Sequence, residues 1–170
     1  MVKLNASLLA GFAVASLFYV GAGVQAEGDH GQLRAQLQGF NEVPAVFSTG
    51  GGEFRARILG DIVDWELSYE GLEGSVTTAA HIHFGQKDVN GGVSVFLCGG
   101  PTPPCTPGSG TFRGSFSAAE VLGPAAQGIA AGEIAELISA VRAGNTYVNV
   151  HTNMYPGGEI RGQVRGKHKD

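Results

Sequence analysis

Apolar and polar residues alternate with period two through most of residues 32–166, in short segments divided by Gly, Pro, Asn and Asp. Period two is the repeat of an extended strand, whose successive side chains point to opposite faces of a sheet. A chain patterned this way folds by burying one face of each strand, which excludes a helical bundle and a parallel α/β fold. The clearest segment is 61–69, with Val63, Trp65, Leu67 and Tyr69 on one face and Asp64, Glu66 and Ser68 on the other. The same pattern predicts strands over 32–39, 52–59, 77–84, 93–97, 111–116, 147–152 and 159–165. Gly60-Asp61 makes a turn short enough for a hairpin, Asn90-Gly91-Gly92 and Pro156-Gly157-Gly158 make two more, and Asn41-Glu42-Val43-Pro44 reads as an extended turn.

One stretch changes period. Ile134, Leu137, Ile138 and Val141 recur at helical spacing within 132–143, and Gly144 follows where a helix stops. Upstream, Ser117-Ala118-Ala119-Glu120 has the form of a capping box. The expected fold is therefore mainly β, an antiparallel Greek-key β-sandwich with one short amphipathic helix inserted before the last two strands.

The first 26 residues stand apart. Lys3 precedes an apolar run from Leu8 to Val20, and Val24-Gln25-Ala26 supplies small residues for cleavage. This is the form of a secretory signal peptide, the alternative being an uncleaved anchor. The expected organisation is a signal peptide at 1–26, a flexible start at 27–31, one domain at 32–166 and a polar tail at 167–170. Removing Lys3 leaves ten basic against fifteen acidic residues, a formal charge of −5 for the mature chain. An acidic surface argues against nucleic acid as a partner, and the mature chain has no apolar run that would span a membrane. The address is secreted or periplasmic. Cys98 and Cys105 enclose Gly-Gly-Pro-Thr-Pro-Pro, and in an exported chain such a pair reads as a disulfide stapling the loop, with copper–thiolate ligation as the alternative.

Chemistry concentrates on two strands. His81 and His83 share one face of 77–84, and Tyr147, Asn149 and His151 share one face of 147–152. Should the strands meet, three imidazoles converge. Neutral imidazoles suit copper, zinc or nickel, and intrinsic affinity favours copper among divalent ions. Tyr147, Asn149, Glu159 and Arg161 are candidates for a surrounding layer that orients the rings, Arg161 alternatively pairing near Glu159 or with Asp88. Against this stands a purely structural role, each ring bonded to backbone or facing solvent. No Gly-x-Ser-x-Gly elbow supports a nucleophilic hydrolase, and Glu66, Glu70 and Glu73 read as a solvated face rather than a glycosidase pair.

Over nearly all of the mature chain the sequence resembles the CHRD family, first described as a repeat in chordin and found in bacterial secreted proteins. The matching residues are Leu37-Gln38-Gly39 with Glu42-Val43-Pro44, Ala80-His81-Ile82-His83, Asn90-Gly91, residues 147–152, and Pro156-Gly157-Gly158-Glu159-Ile160-Arg161-Gly162. The resemblance implies a domain family rather than an activity, with metal, a small ligand or an extracellular protein as partner. A more distant likeness is to copper/zinc superoxide dismutases, which also carry a His-x-His strand on a Greek-key sandwich and a late histidine strand. Carried over, it would make His81, His83 and His151 copper ligands, but the bridging histidine and the zinc loop have no counterpart. Three readings follow: an exported binding protein with a histidine-held mononuclear metal, copper before zinc; a copper-only dismutase-like enzyme; and a metal-free interaction or adhesion module.

Overall fold

The computed structural model describes residues 32–166. The expected signal peptide, flexible start and polar tail lie outside the described residues. Within them the alternating segments form nine strands and one α-helix. The strands are β1 (Leu33–Gln38), β2 (Gly51–Leu59), β3 (Ile62–Glu70), β4 (Thr77–Phe84), β5 (Gly92–Gly99), β6 (Gly110–Phe116), β7 (Thr146–Thr152), β8 (Ile160–Gln163) and β9 (Arg165–Gly166); α1 is Ile134–Arg142. Every pairing is antiparallel.

The strands lie in the order β5-β4-β7-β8-β1-β2-β3-β6, with β9 also on β1. β8 meets β1 through the single pair Gln38↔Arg161. That narrow seam lets β5-β4-β7-β8 fold over β1-β2-β3-β6, and the sheet nearly closes on itself. The result is a mainly β domain between sandwich and barrel, its two layers joined along one edge rather than formed by separate sheets. The expected last strand over 159–165 is split. Val164, 1% exposed, turns its N–H to the Thr146 carbonyl at 2.8 Å, so β8 ends on β7 and β9 begins on β1.

The inward residues are those the alternation picked out. β1 alternates strictly between buried and exposed, and Phe54, Val63, Leu67, Ile82, Val148 and Ile160 are at most 2% exposed in one apolar core. The stripe of α1 joins that core, and Gly144 ends the helix in the left-handed region at φ 71°, open to glycine at little steric cost. The Ser117–Glu120 capping box is present but caps only a single 3-10 turn, Ala118–Glu120. The 41–44 turn follows another 3-10 turn at Gly39–Asn41. Cys98 and Cys105 form a disulfide that closes the loop leaving β5. No helix among the described residues is long and apolar enough to cross a membrane.

One polar group holds the loops at the β2, β4 and β8 end. Glu159 is fully buried, and its carboxylate accepts from Ser48 Oγ (2.7 Å), the Glu73 N–H (2.7 Å), Thr152 Oγ1 (2.7 Å) and, more weakly, the Gly74 N–H (3.4 Å). Burial alone would raise its pKa, but these donors hold it below the usual carboxylate value. A folded-state pKa below the unfolded one contributes stability that is present above the unfolded carboxylate range and lost as pH falls through it. Glu159→Gln turns an amide N–H₂ against donors. It is expected to destabilise the fold by about 2–4 kcal/mol in urea unfolding at pH 7, with the gap to wild type narrowing toward pH 3. A variant within a few tenths of a kcal/mol of wild type would show that the carboxylate does not hold these loops.

Candidate metal site

The register of β4 on β7 decides which side chains meet. Ala80 faces Val150 and Ile82 faces Val148, and these pairs enter the core; His81 then lies opposite Asn149, His83 opposite Tyr147, and His151 opposite Ala79. The five polar side chains therefore share the outer face. Neighbouring strands widen the patch: β5 brings Phe96 beside His81, and β8 brings Arg161 beside Asn149.

This outer face is not open to solvent. His81 is 9% exposed, His83 7% and Asn149 3%, while His151 is half-buried. Two loops cover them. Arg161 donates to the Val89 carbonyl (2.7 Å) and to Asn90 Oδ1 (3.1 Å), and Asn90 Nδ2 reaches the Val43 carbonyl (2.9 Å), tying the 85–91 loop to the 39–46 loop. Gly91 has no room for a side chain, since a Cβ there would lie 1.7 Å from the Phe84 carbonyl oxygen. Beneath the loops, His83 stacks on Tyr147 (centroids 4.7 Å apart, planes 5° apart), and the Arg161 guanidinium lies 3.4 Å from the centre of the Tyr147 ring. β4 and β8 flank β7 on opposite sides, so imidazole, phenol and guanidinium form a three-layer stack.

The three imidazoles converge. Ring centroids are 4.8 Å apart for His81–His151, 5.3 Å for His81–His83 and 6.2 Å for His83–His151, and one nitrogen of each lies within 4.8 Å of the others. Their tautomers follow from their partners. His83 Nδ1 is 3.0 Å from the Gly91 carbonyl and His151 Nδ1 is 3.0 Å from the Pro156 carbonyl; a carbonyl only accepts, so both Nδ1 atoms carry the proton. In the neutral rings both Nε2 atoms then present a lone pair. His83 Nε2 is buried with no hydrogen-bond partner, while His151 Nε2 accepts from His81 Nδ1 at 3.1 Å and lies 3.0 Å from Asn149 Oδ1, itself an acceptor. Backbone carbonyls fix ring tautomers so that unprotonated nitrogens converge, and this cluster could hold one ion.

Electrostatics agree with neutral rings. Burial, then the neighbouring imidazoles, lowers His81 to about 3; burial is also the main cause for His83, lowered to about 4, and His151 is lowered as well. Of the surrounding residues foreseen, Tyr147, Asn149 and Arg161 are brought to the cluster. Glu159 is not: its carboxylate is taken up by Ser48, Thr152 and the Glu73 and Gly74 amides. Nor does Arg161 pair with an acid among the described residues; Asp88 is bound by Lys87 at 2.8 Å.

A residue that reads only as part of a turn also belongs here. Glu42 is 6% exposed, its Oε1 has no hydrogen-bond partner, and it adjoins Asn149 and Gly158, where a Cβ would lie 2.4 Å from Oε1. Burial raises its carboxyl to about 7, against the opposing pull of Arg161 and the Asn149 amide. Glu42-Val43-Pro44 signals a turn, and nothing in that tripeptide signals that the turn folds inward over histidines.

Fold and site together define a barrel-like β domain with a loop-covered three-histidine cluster. A CHRD domain family model matches residues 33–164, and the chain belongs to that family. Among curated proteins and solved structures, none matches it.

In the metal-free protein the histidines set an acid limit. Their folded-state pKa values lie below the ordinary histidine value, so the stability they contribute is present above about pH 6.5 and is lost as pH falls toward 4 and 3. Glu42 acts in the opposite sense, contributing below its unfolded value and losing that contribution as pH rises through about 7. Three imidazoles outweigh one carboxyl, so unfolding free energy measured in urea is expected to fall between pH 7 and pH 5. A flat or rising profile over that range would contradict the neutral, buried cluster.

Proposed function

We propose that this is an exported CHRD-domain protein that binds one metal ion through His81, His83 and His151, with copper preferred to zinc. The observation that carries the reading is the orphaned lone pair of His83 Nε2, buried beside two other imidazoles whose nitrogens lie within 4.8 Å. A buried acceptor without a partner costs about 1–3 kcal/mol, and a metal ion relieves it. Copper is favoured because an all-nitrogen set follows the intrinsic order of divalent affinities. Export is supported by the charged and apolar leader sequence and by the disulfide, which belongs to oxidising compartments.

The chain's own residues then take distinct parts. The Gly91 and Pro156 carbonyls fix two ring tautomers, Asn149 lies against the His151 ring edge, and Tyr147 with Arg161 holds the His83 ring in its stack. Binding rather than turnover fits a cluster covered by two loops on the His81 and His83 side. The dismutase-like alternative needs that same ion to be reachable by a diffusing substrate.

Elemental analysis of the exported protein, before and after incubation with copper(I), copper(II) or zinc(II), tests the reading. About one equivalent of metal is expected, lost in the His81→Ala/His83→Ala double variant. Asn149→Ala is expected to weaken binding by about 10–100-fold, the usual range for a residue that orients a ligand. Folded protein that takes up no metal would overturn the site, zinc retained in preference to copper would overturn the choice of ion, and fast superoxide turnover by loaded protein would move the role from binding to catalysis.

A further inference from the structure

The opposite layer carries a second feature. Across β1, β2, β3 and β6 the register places Gln36, Glu53, Ser68 and Thr111 in one straight row. The next row toward the loops is Gln38, Gly51 and Glu70. Alternation puts both rows on the outer face, because Leu37, Phe54, Leu67 and Tyr69 point into the core. Gly51 is the gap in the second row. A Cβ built there would meet only the Leu37 carbonyl, at 3.8 Å, so the missing side chain leaves a trough between Gln38 and Glu70. These residues line an open cleft of about 860 Å³, within the usual range of ligand sites.

The mouth of the cleft is aromatic. Phe40 lines it and is 66% exposed, braced edge-on by Phe47, which is 76% exposed, with ring centroids 6.0 Å apart. Phe40, held edge-on by Phe47, presents an exposed apolar ring beside a polar floor. The charges of the face are sorted. Its arginines stand in the row beyond, at Arg34, Arg55 and Arg113, with Arg113 paired to Glu66 and Arg55 to Glu53. Glu70 makes no ion pair among the described residues.

We propose that this cleft binds a neutral polysaccharide. Side-chain amides, hydroxyls and carboxylates, each able to bond a hydroxyl, match a polyhydroxylated chain, and an exposed ring matches the apolar C–H face of a sugar. Four strands span about 14 Å at the interstrand spacing, the reach of an oligosaccharide rather than a single sugar. The uncompensated carboxylate and the acidic balance of the chain disfavour sulfated or carboxylated glycans. The site lies on the other half of the sheet from the histidines and does not depend on a metal.

The test is co-sedimentation of the purified protein with insoluble cellulose, chitin and xylan, with immobilised heparin as the anionic control. Depletion from solution by at least one of the three neutral polymers is expected, and none by heparin at physiological salt. Phe40→Ala is expected to reduce retention at least tenfold. Gly51→Val is the sharper variant: the strand position has room for a Cβ and suits a β-branched residue, thermal unfolding checks that the variant is folded, and filling the trough is expected to cut retention at least tenfold. Retention on none of the neutral polymers, retention on heparin alone, or equal retention of wild type and the folded Gly51→Val variant would each overturn the proposal.

Discussion

The pairing of β4 with β7 is the interaction on which both the core and the candidate site depend. Strand alternation couples the two faces: once Ile82 faces Val148 and Ala80 faces Val150 in the core, His81, His83, Asn149 and His151 must share the outside. A slip of one residue would send the imidazoles into the core and the aliphatic side chains under the loops, at a cost no local contact could offset. The hydrophobic effect thus fixes the geometry of the imidazole cluster without acting on any imidazole.

Covering that polar face creates the site's chemistry. An outer sheet face in water would leave histidines near their ordinary pKa. Under the 39–46 and 85–91 loops they are desolvated and neutral, which is the state a metal ion requires of imidazole. Arg161 makes the covering possible. It is 2% exposed, it satisfies loop carbonyls that would otherwise be stranded, and its charge rests against the face of Tyr147 rather than against an acid. A single guanidinium therefore stiffens the loops from beneath and holds the ring that supports His83. Glu159, two residues earlier on the turn into the same strand, performs the matching task for the loops before β2 and β4 by gathering their amides and hydroxyls.

Much of this was legible in the residues. Alternation located the strands within a residue or two, because burial on one face imposes a period that turns and propensity do not disguise. The three histidines could be put on matching faces from the same period. Glu159 and Glu42 were not legible in their true places. Glu159 neighbours Arg161 in sequence and on paper belongs beside the histidines, yet it lies outside β8, and its side chain turns to the loops before β2 and β4. Glu42 sits in a turn tripeptide, and whether a turn faces water or folds over a sheet depends on contacts more than a hundred residues away, such as Asn41 with the Arg161 carbonyl. The split of the last strand at Val164 was hidden for a similar reason, since alternation continues while the hydrogen-bonding partner changes.

The sequence by itself determined the class of fold, the strand faces and the residue types able to bind a metal, since each of these follows from local spacing and chemistry. The tertiary structure decided which strands became neighbours and how the halves joined through one pair at Gln38 and Arg161. It also decided that loops would cover much of the histidine face and that a polar, glycine-gapped trough would open on the opposite layer. The physical reason is that burial and register are sums over contacts between distant segments, and period-two patterning specifies which side of a strand is apolar without specifying what will lie against the other side.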